Sequence, residues 1–413
     1  MAQRPDLDLN VLRRAELYEA AKLSRRRFLF GAAGVGLAAA AAPLIAACSG
    51  GAATSAPVSA VPTAAPSAAI GGKVFFIGWE GFEGASVPYL EKFRKDNNIE
   101  QVNTFVGSPD DMLAKIATDP AHTNITTTHI EAYMPAYKAG LLEPLDMSKL
   151  PNFETFYPVF KGPHWIYPDG QRYAIPAAWG NSPIVYDPAK WDGVPDRFYP
   201  DLADPKYKGH LVIMDDPYTN LFDISQALGH KDPMFLTQAE LDEVVKAFKE
   251  VKKNVVAIVG GGLSDLMDMV VRGDASMIPF QGWQPQVKMA REKGKELKFA
   301  EPKETPGFWW VDNYAMPKQS TNKETTYALI NAMISPEGAA GIDTASASGT
   351  GQSKAYDLIE QEVRDWYPYE VVQNPNLPKD HPISISLDPP AETEGDIVGI
   401  AEWKRAWQEA KLG

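Results

Sequence analysis

Cysteine is nearly missing from this chain: one residue, Cys48, in 413. A single thiol excludes an internal disulfide, a CxxC redox pair and any metal site built on several thiolates. Histidine is scarce as well, at six, and His122 and His129 have no acidic ligand pattern between them, which argues against a metal site. Cations are outnumbered, 40 Lys+Arg against 53 Asp+Glu, for a formal net charge of -13. That deficit argues against nucleic acid and anionic lipid as partners, since both need clustered cations. Also absent are GxGxxG after a strand, GxxxxGK[ST], HExxH and the GxSxG elbow. Gly260-Gly261-Gly262 reads as a turn between strand and helix, with an anion cradle as the alternative. No cofactor and no metal are expected.

What is present begins with an N-terminal address. Arg25, Arg26 and Arg27 precede an apolar run from Phe28 to Ala47, which ends Ile45-Ala46-Ala47-Cys48. A basic region, an apolar region and small residues before a cut site are the parts of a secretory signal. The pair Arg25 and Arg26 in Ser-Arg-Arg-Arg-Phe-Leu resembles a twin-arginine signal. A Sec signal rich in arginine is the alternative. The Ile-Ala-Ala-Cys ending resembles a bacterial lipobox, which implies lipidation of Cys48 and a membrane anchor there. A transmembrane helix is the competing reading of the same apolar run. Residues 1–47 hold seven cations and four acids, so the remainder carries 33 Lys+Arg against 49 Asp+Glu, or -16. Residues 49–72 are small residues, prolines and isolated Val or Ile, too poor in apolar area to repay ordering. Residues 48–72 are therefore expected to be the lipidated cysteine and a flexible tether.

The folded body starts at Lys73. Lys73–Ile77 reads as a buried strand. Helical spacing appears over 86–97, 110–118, 238–253, 324–334 and 396–411, and Leu211–Met214 reads as a second strand. Leu241, Val244, Val245, Phe248 and Val251 share one helix face. Strands alternating with helices predict an α/β fold with largely parallel sheets and no internal repeat.

Three segments place aromatic rings beside carboxylates. They are Trp79-Glu80-Gly81-Phe82-Glu83, Asp215-Asp216-Pro217-Tyr218 and Phe308-Trp309-Trp310-Val311-Asp312. The first two follow strands directly, where open α/β sheets bind ligands. An aromatic face beside an acid suits an organic cation, through cation–π attraction and charge-assisted hydrogen bonds. An anionic ligand would need arginines here, and only Arg172 and Arg272 are near in sequence.

From Lys73 onward the chain resembles the bacterial extracellular solute-binding proteins of ABC importers, most nearly the spermidine/putrescine-binding group. The residues that carry this are Trp79-Glu80, Lys138–Leu150, Tyr173–Gly180, Asp204–Gly209, Asp215-Asp216 and Pro306–Pro317. The resemblance implies a two-lobed periplasmic-binding-protein fold of type II, with the ligand in a cleft and hinge strands crossing between lobes. It implies lobe 1 over 73–183 and 310–350, lobe 2 over 184–309, and a C-terminal helical segment over 351–413. Trp79 and Trp310 match aromatic walls of the ligand site, and Asp216 and Asp312 match carboxylates that grip amines. His129 falls where a serine is usual and Glu131 where a tyrosine is usual. Thr219 stands in place of a second acid, and Phe280 falls near a cleft tryptophan.

The expected role is a lipid-anchored extracytoplasmic receptor, monomeric, that delivers a polyamine or other organic cation to ABC permease subunits without catalysis. An amino acid, betaine, opine or ferric ion on the same fold is the alternative ligand. A secreted hydrolase or lyase using Glu80 or Glu131 is the alternative of another class.

Overall fold

The computed structural model describes residues 70–106, 108–162, 165–260, 263–375, 383 and 386–412. The expectations for the signal, for Arg25 and Arg26 and for Cys48 lie outside these residues. In chain order the strands are β1 (Gly72–Gly78), β2 (Ile99–Phe105), β3 (Ile125–His129), β4 (Ala174–Asn181), β5 (Ile184–Tyr186), β6 (Leu211–Met214), β7 (Val255–Val259), β8 (Met277–Ile278), β9 (Lys298–Ala300), β10 (Trp309–Ala315) and β11 (Gly349–Thr350).

They form two sheets. The first has the order β11-β4-β10-β3-β1-β2 and the second β7-β6-β8-β5-β9. The expectation of largely parallel sheets needs correction, because both are mixed. β1 pairs in parallel with β2 and β3, but β10 runs antiparallel to β3 and β4. In the second sheet β6 is parallel to β7 and β8, while β5 is antiparallel to β8 and β9. The reason is connectivity. The chain leaves the first sheet after Asn181 and comes back at Trp309 from the other lobe, so the strand that returns runs against its neighbours.

Each sheet organises its own core. Phe76, Tyr133, Trp165, Trp179 and Tyr314 are fully buried around the first. The second sheet is covered on both faces. Along β6, Leu211 and Ile213 enter one apolar cluster and Val212 the other, the alternation a strand imposes. The helix Gln238–Lys252 supplies the first of these clusters with Leu241, Val244, Val245, Phe248 and Val251, as its periodicity predicts. A capping box fixes its start, with the Thr237 hydroxyl accepting from the Glu240 amide and the Glu240 carboxylate accepting from the Thr237 amide.

The C-terminal region divides between the lobes. Ala355, Ile359, Val363, Tyr367, Tyr369 and Val372 join the first core. The helix Ile400–Leu412 buries Trp403, Ala406, Trp407 and Ala410 in the second. Trp407 and Lys411 of this helix both donate to Asp215, at 2.6 and 2.9 Å. Lys404 of the same helix reaches Asp110 on the first lobe, at 2.6 Å.

Two crossing segments, 182–183 and 301–308, touch each other between the sheets. The Ser182 amide donates to the Phe308 carbonyl at 2.9 Å. Gly307 lies so close that a Cβ there would stand 1.8 Å from the Ser182 carbonyl oxygen. The Glu301 carboxylate ties the two segments, accepting from the Gly307 amide at 2.8 Å and from the Asn181 side-chain amide. Buried Asp223 lies near it, with the Phe308 backbone easing its charge, and burial followed by Glu301 pushes its carboxyl well above the usual range. Gly307→Ala should lower stability by about 1–3 kcal/mol, because a methyl must displace backbone. Gly193→Ala, at a position with open space around it, should stay within about 0.5 kcal/mol of the parent. Thermal melts of the two variants check this contrast.

Candidate functional site

The site is assembled from strand ends. β3 is buried over Ile125–Thr128 and emerges at His129, whose side chain is 17% exposed. A short 3-10 turn then begins at Glu131. β10 lies beside β3 with Asp312 directly opposite His129, and cross-strand partners project to the same face of a sheet. β1 ends at Gly78, which places Trp79 next to the same edge. The Trp79 indole N–H donates to Asp312 Oδ1 at 3.3 Å.

The second lobe adds Asp216. It follows β6 and caps the helix Pro217–Ala227, accepting from the Tyr218 amide at 2.9 Å and from the Thr219 hydroxyl at 2.8 Å. Thr219 in turn accepts from the Gln281 side chain at 2.6 Å, so it braces Asp216. The fourth acid, Asp388, comes from the C-terminal segment. Its Oδ2 lies 3.7 Å from His129 Nδ1, the same distance as Glu131 Oε2 on the other side.

Four carboxylates thus face one histidine, and electrostatics follows from that count. Burial pushes the Asp312 carboxyl up to about 6, although the charge of His129 and the Trp79 hydrogen bond work the other way. Burial does the same to Asp388, which also reaches about 6, with Glu131, Asp216 and Asp110 adding repulsion. Asp216 is raised by burial, eased by Thr219, by two backbone amides and by His129. Burial disfavours the His129 imidazolium, yet Asp388, Glu131 and Asp312 outweigh it and hold its pKa at about 9. At neutral pH the histidine is a cation among acids.

Trp310 is the hinge aromatic. It is half-buried and packs against the apolar clusters of both lobes. A Cβ on Gly180 would stand 2.4 Å from its ring, so only glycine fits below it. Trp309 beside it points elsewhere, stacked on Trp179 with ring centroids 5.7 Å apart.

Trp79, His129, Glu131, Asp216, Thr219, Trp310 and Asp312 are therefore placed at or beside one cluster. Three other candidates are not. Phe280 is fully buried in the second core, between Phe198 and Phe248. Phe82 packs in the first core, and its carbonyl accepts from the Tyr314 hydroxyl at 2.7 Å. Glu80 is solvent-exposed. Asp215, neighbour of Asp216, serves the C-terminal helix instead. Neither arginine named from the sequence joins the cluster: Arg172 is buried over the Phe153 ring and Arg272 pairs with Asp274. Among the described residues, no three or more His, Cys, Asp or Glu side chains could hold a metal ion. Asp388 is the residue that sequence reasoning missed. It has no aromatic neighbour and follows no strand, and its one mark is the Pro389-Pro390 pair after it.

Comparison with known proteins bears on the family and the fold. Residues 89–376 match the family described as bacterial extracellular solute-binding protein. The spermidine/putrescine-binding periplasmic protein of Escherichia coli K12 is 25% identical over 295 residues, 70% of this chain and 80% of its own. A putrescine-binding periplasmic protein of Pseudomonas aeruginosa is 26% identical over 344 residues, 78% of this chain and 88% of its own. Among solved structures, a putative spermidine/putrescine ABC transporter from Listeria monocytogenes superposes with a TM-score of 0.66 at 21% identity, covering 82% of this chain and 99% of that one. The Tp0655 lipoprotein of Treponema pallidum gives a TM-score of 0.64 at 17% identity, covering 83% and 100%. The fold is accordingly the two-lobed periplasmic-binding-protein fold, and the chain belongs to the bacterial extracellular solute-binding protein family.

Proposed function

We propose that this chain is a lipid-anchored extracytoplasmic receptor that binds an organic cation of the polyamine class and presents it to the membrane subunits of an ABC importer. The observation that carries this is the convergence of Glu131, Asp216, Asp312 and Asp388 beside Trp79 and Trp310. Carboxylates held away from water are costly unless paired. Even with His129 charged, the four acids leave negative charge in excess, and a dication relieves it. Trp79 holds Asp312 in place, which lowers the cost of ordering that acid when an ammonium group arrives. Trp310 and Trp79 offer ring faces for the methylene chain between charges.

The acids come from both lobes, so a bound cation would link them, and closure about the crossing segments is the motion this supports. The curated relatives named for spermidine or putrescine support the ligand class. The role involves no bond making or breaking. The anchor is inferred from the Ile-Ala-Ala-Cys48 sequence, and 49–72 would serve as its tether. The lobe boundaries follow the crossings, and a monomer suffices because one chain supplies every residue of the cluster.

A thermal-shift screen against putrescine, spermidine, betaine, amino acids and ferric ion tests the ligand class. A ligand at a hundred times its Kd should stabilise the protein by about 2.7 kcal/mol. A shift with amino acids or betaine and none with either polyamine would sink the polyamine reading. Asp312→Ala should weaken putrescine binding by about 2–4 kcal/mol, roughly 30- to 1000-fold, with the melting temperature little changed. Calorimetric titration at pH 7.5 measures this, and unchanged affinity would show that Asp312 does not grip the ligand. Cys48→Ala should move the protein from the membrane fraction to the soluble extracytoplasmic fraction, read by fractionation and immunoblot.

A further inference from the structure

We propose that the His129 imidazolium is a resident counter-cation of the acid cluster, and that an ammonium ligand enters by exchange for its proton. One ammonium group of the ligand comes to stand beside the imidazolium, the N–H bond of the imidazolium breaks, and the proton passes to solvent. This rests on the reading of the site as one for organic cations.

The geometry sets the histidine among acids. Its Nδ1 is buried and lies 3.7 Å from both Glu131 and Asp388, just beyond hydrogen-bond length. Four segments around it present an acid, and the end of β1 presents Trp79. Glu131 stands on its own turn, Asp312 on β10, Asp216 at the start of the helix Pro217–Ala227 and Asp388 on the C-terminal segment. Farther out, Asp110 acts on Asp388 but is paired with Lys404, and the Tyr133 and Tyr218 phenols stay neutral because burial pushes them upward. Among the described residues, no arginine or lysine acts on His129.

An ammonium group placed beside the imidazolium repels it, although the acids outnumber both cations. Like charges about 4 Å apart at an effective dielectric of about 20 favour loss of one proton by roughly a thousandfold. That carries a histidine titrating near 9 to below neutrality, while primary amines, titrating near 10, keep their protons. The sign follows. Above about pH 6, where Asp312 and Asp388 ionise, affinity should go on rising with pH, by up to about tenfold per unit. The rise should end as the His129 of the unbound protein loses its proton, near 9.

Calorimetric titration of the purified full chain with putrescine at pH 7.5, in phosphate and in Tris, counts protons through the buffers' different ionisation heats. The expected result is release of about 0.5–1 proton per putrescine, with a smaller release in His129→Ser and His129→Gln, where only acids left protonated by loss of the imidazolium can supply protons. Between pH 7.5 and 8.5 affinity should rise more steeply in the parent than in either variant. Circular dichroism confirms that each is folded. Equal proton release in parent and folded variants overturns the exchange and leaves the ligand reading intact. If neither putrescine nor spermidine binds, the ligand reading fails by itself. The histidine is then judged by ring-proton NMR titration of the protein alone. A midpoint near 9 supports the resident cation, and one at about 6.5 or below overturns it.

Discussion

The constraint on which the site depends is electrostatic: several carboxylates share a poorly hydrated space, and something positive must stand among them. Burial, against the opposing charge of His129, leaves Asp312 and Asp388 at about 6, with neighbouring acids adding to the rise of Asp388. Left unopposed, such acids would take up protons and lose the charge that makes them useful. His129 opposes this, acting on Asp216, Asp312 and Asp388 together. One side chain therefore keeps three acids closer to ionisation at neutral pH, and they in turn keep it protonated. A cluster arranged this way is ready for a cation without being collapsed by its own repulsion.

The fold delivers these groups because strands end where the lobes meet. β1 stops at Trp79, β3 at His129 and β6 before Asp216, so three of the six segments that build the site are strand exits. β10 differs. It contributes Asp312 and Trp310 from its interior, since it enters the first sheet from the crossing and passes the cleft on its way. A register shift between Asp312 and Asn313 marks that passage. Trp310, packed against both apolar cores, makes the strand that carries Asp312 part of the mechanical link between lobes.

Much of this was legible in residue order. Trp79, Asp216, Trp310 and Asp312 stand out because aromatic rings and acids sit together at strand ends or in the Pro306–Pro317 segment. The helix at Gln238–Lys252 was plain because its apolar side repeats at helical spacing. What was not legible depended on direction or distance along the chain. Asp215 and Asp216 are adjacent and chemically alike, yet one serves Trp407 and Lys411 while the other caps a helix in the cleft. Only the orientation of the turn after β6 separates them. Phe280 looks like a wall residue by position but follows β8 into the core between Phe198 and Phe248. Asp388 meets His129 across 259 positions, and no local pattern encodes a contact of that span. The antiparallel pairing of β10 was hidden for the same reason, as it depends on where the chain has been.

The chain after Asp388 ties the cluster to the second lobe. The segment that carries it is held to the second lobe, where the Val398 amide donates to the Leu236 carbonyl at 2.9 Å. The helix that follows is fixed there by Trp403 and Trp407 and by the two donors to Asp215. Asp388 thus stands between Ile383 of the first core and Val398 on the second, while Asp216 belongs to the second lobe and His129, Glu131 and Asp312 to the first. Across the cleft His129 attracts Asp216 and Asp388 while Glu131 repels Asp388, and the Lys404–Asp110 pair spans it at the surface. Surface pairs of that kind contribute little. The inner set is shielded from water, so its charge balance weighs far more in how readily the lobes approach. In the proposed role a cation in the cleft would change that balance directly, so the side chains that meet the ligand would also set the energetics of closure.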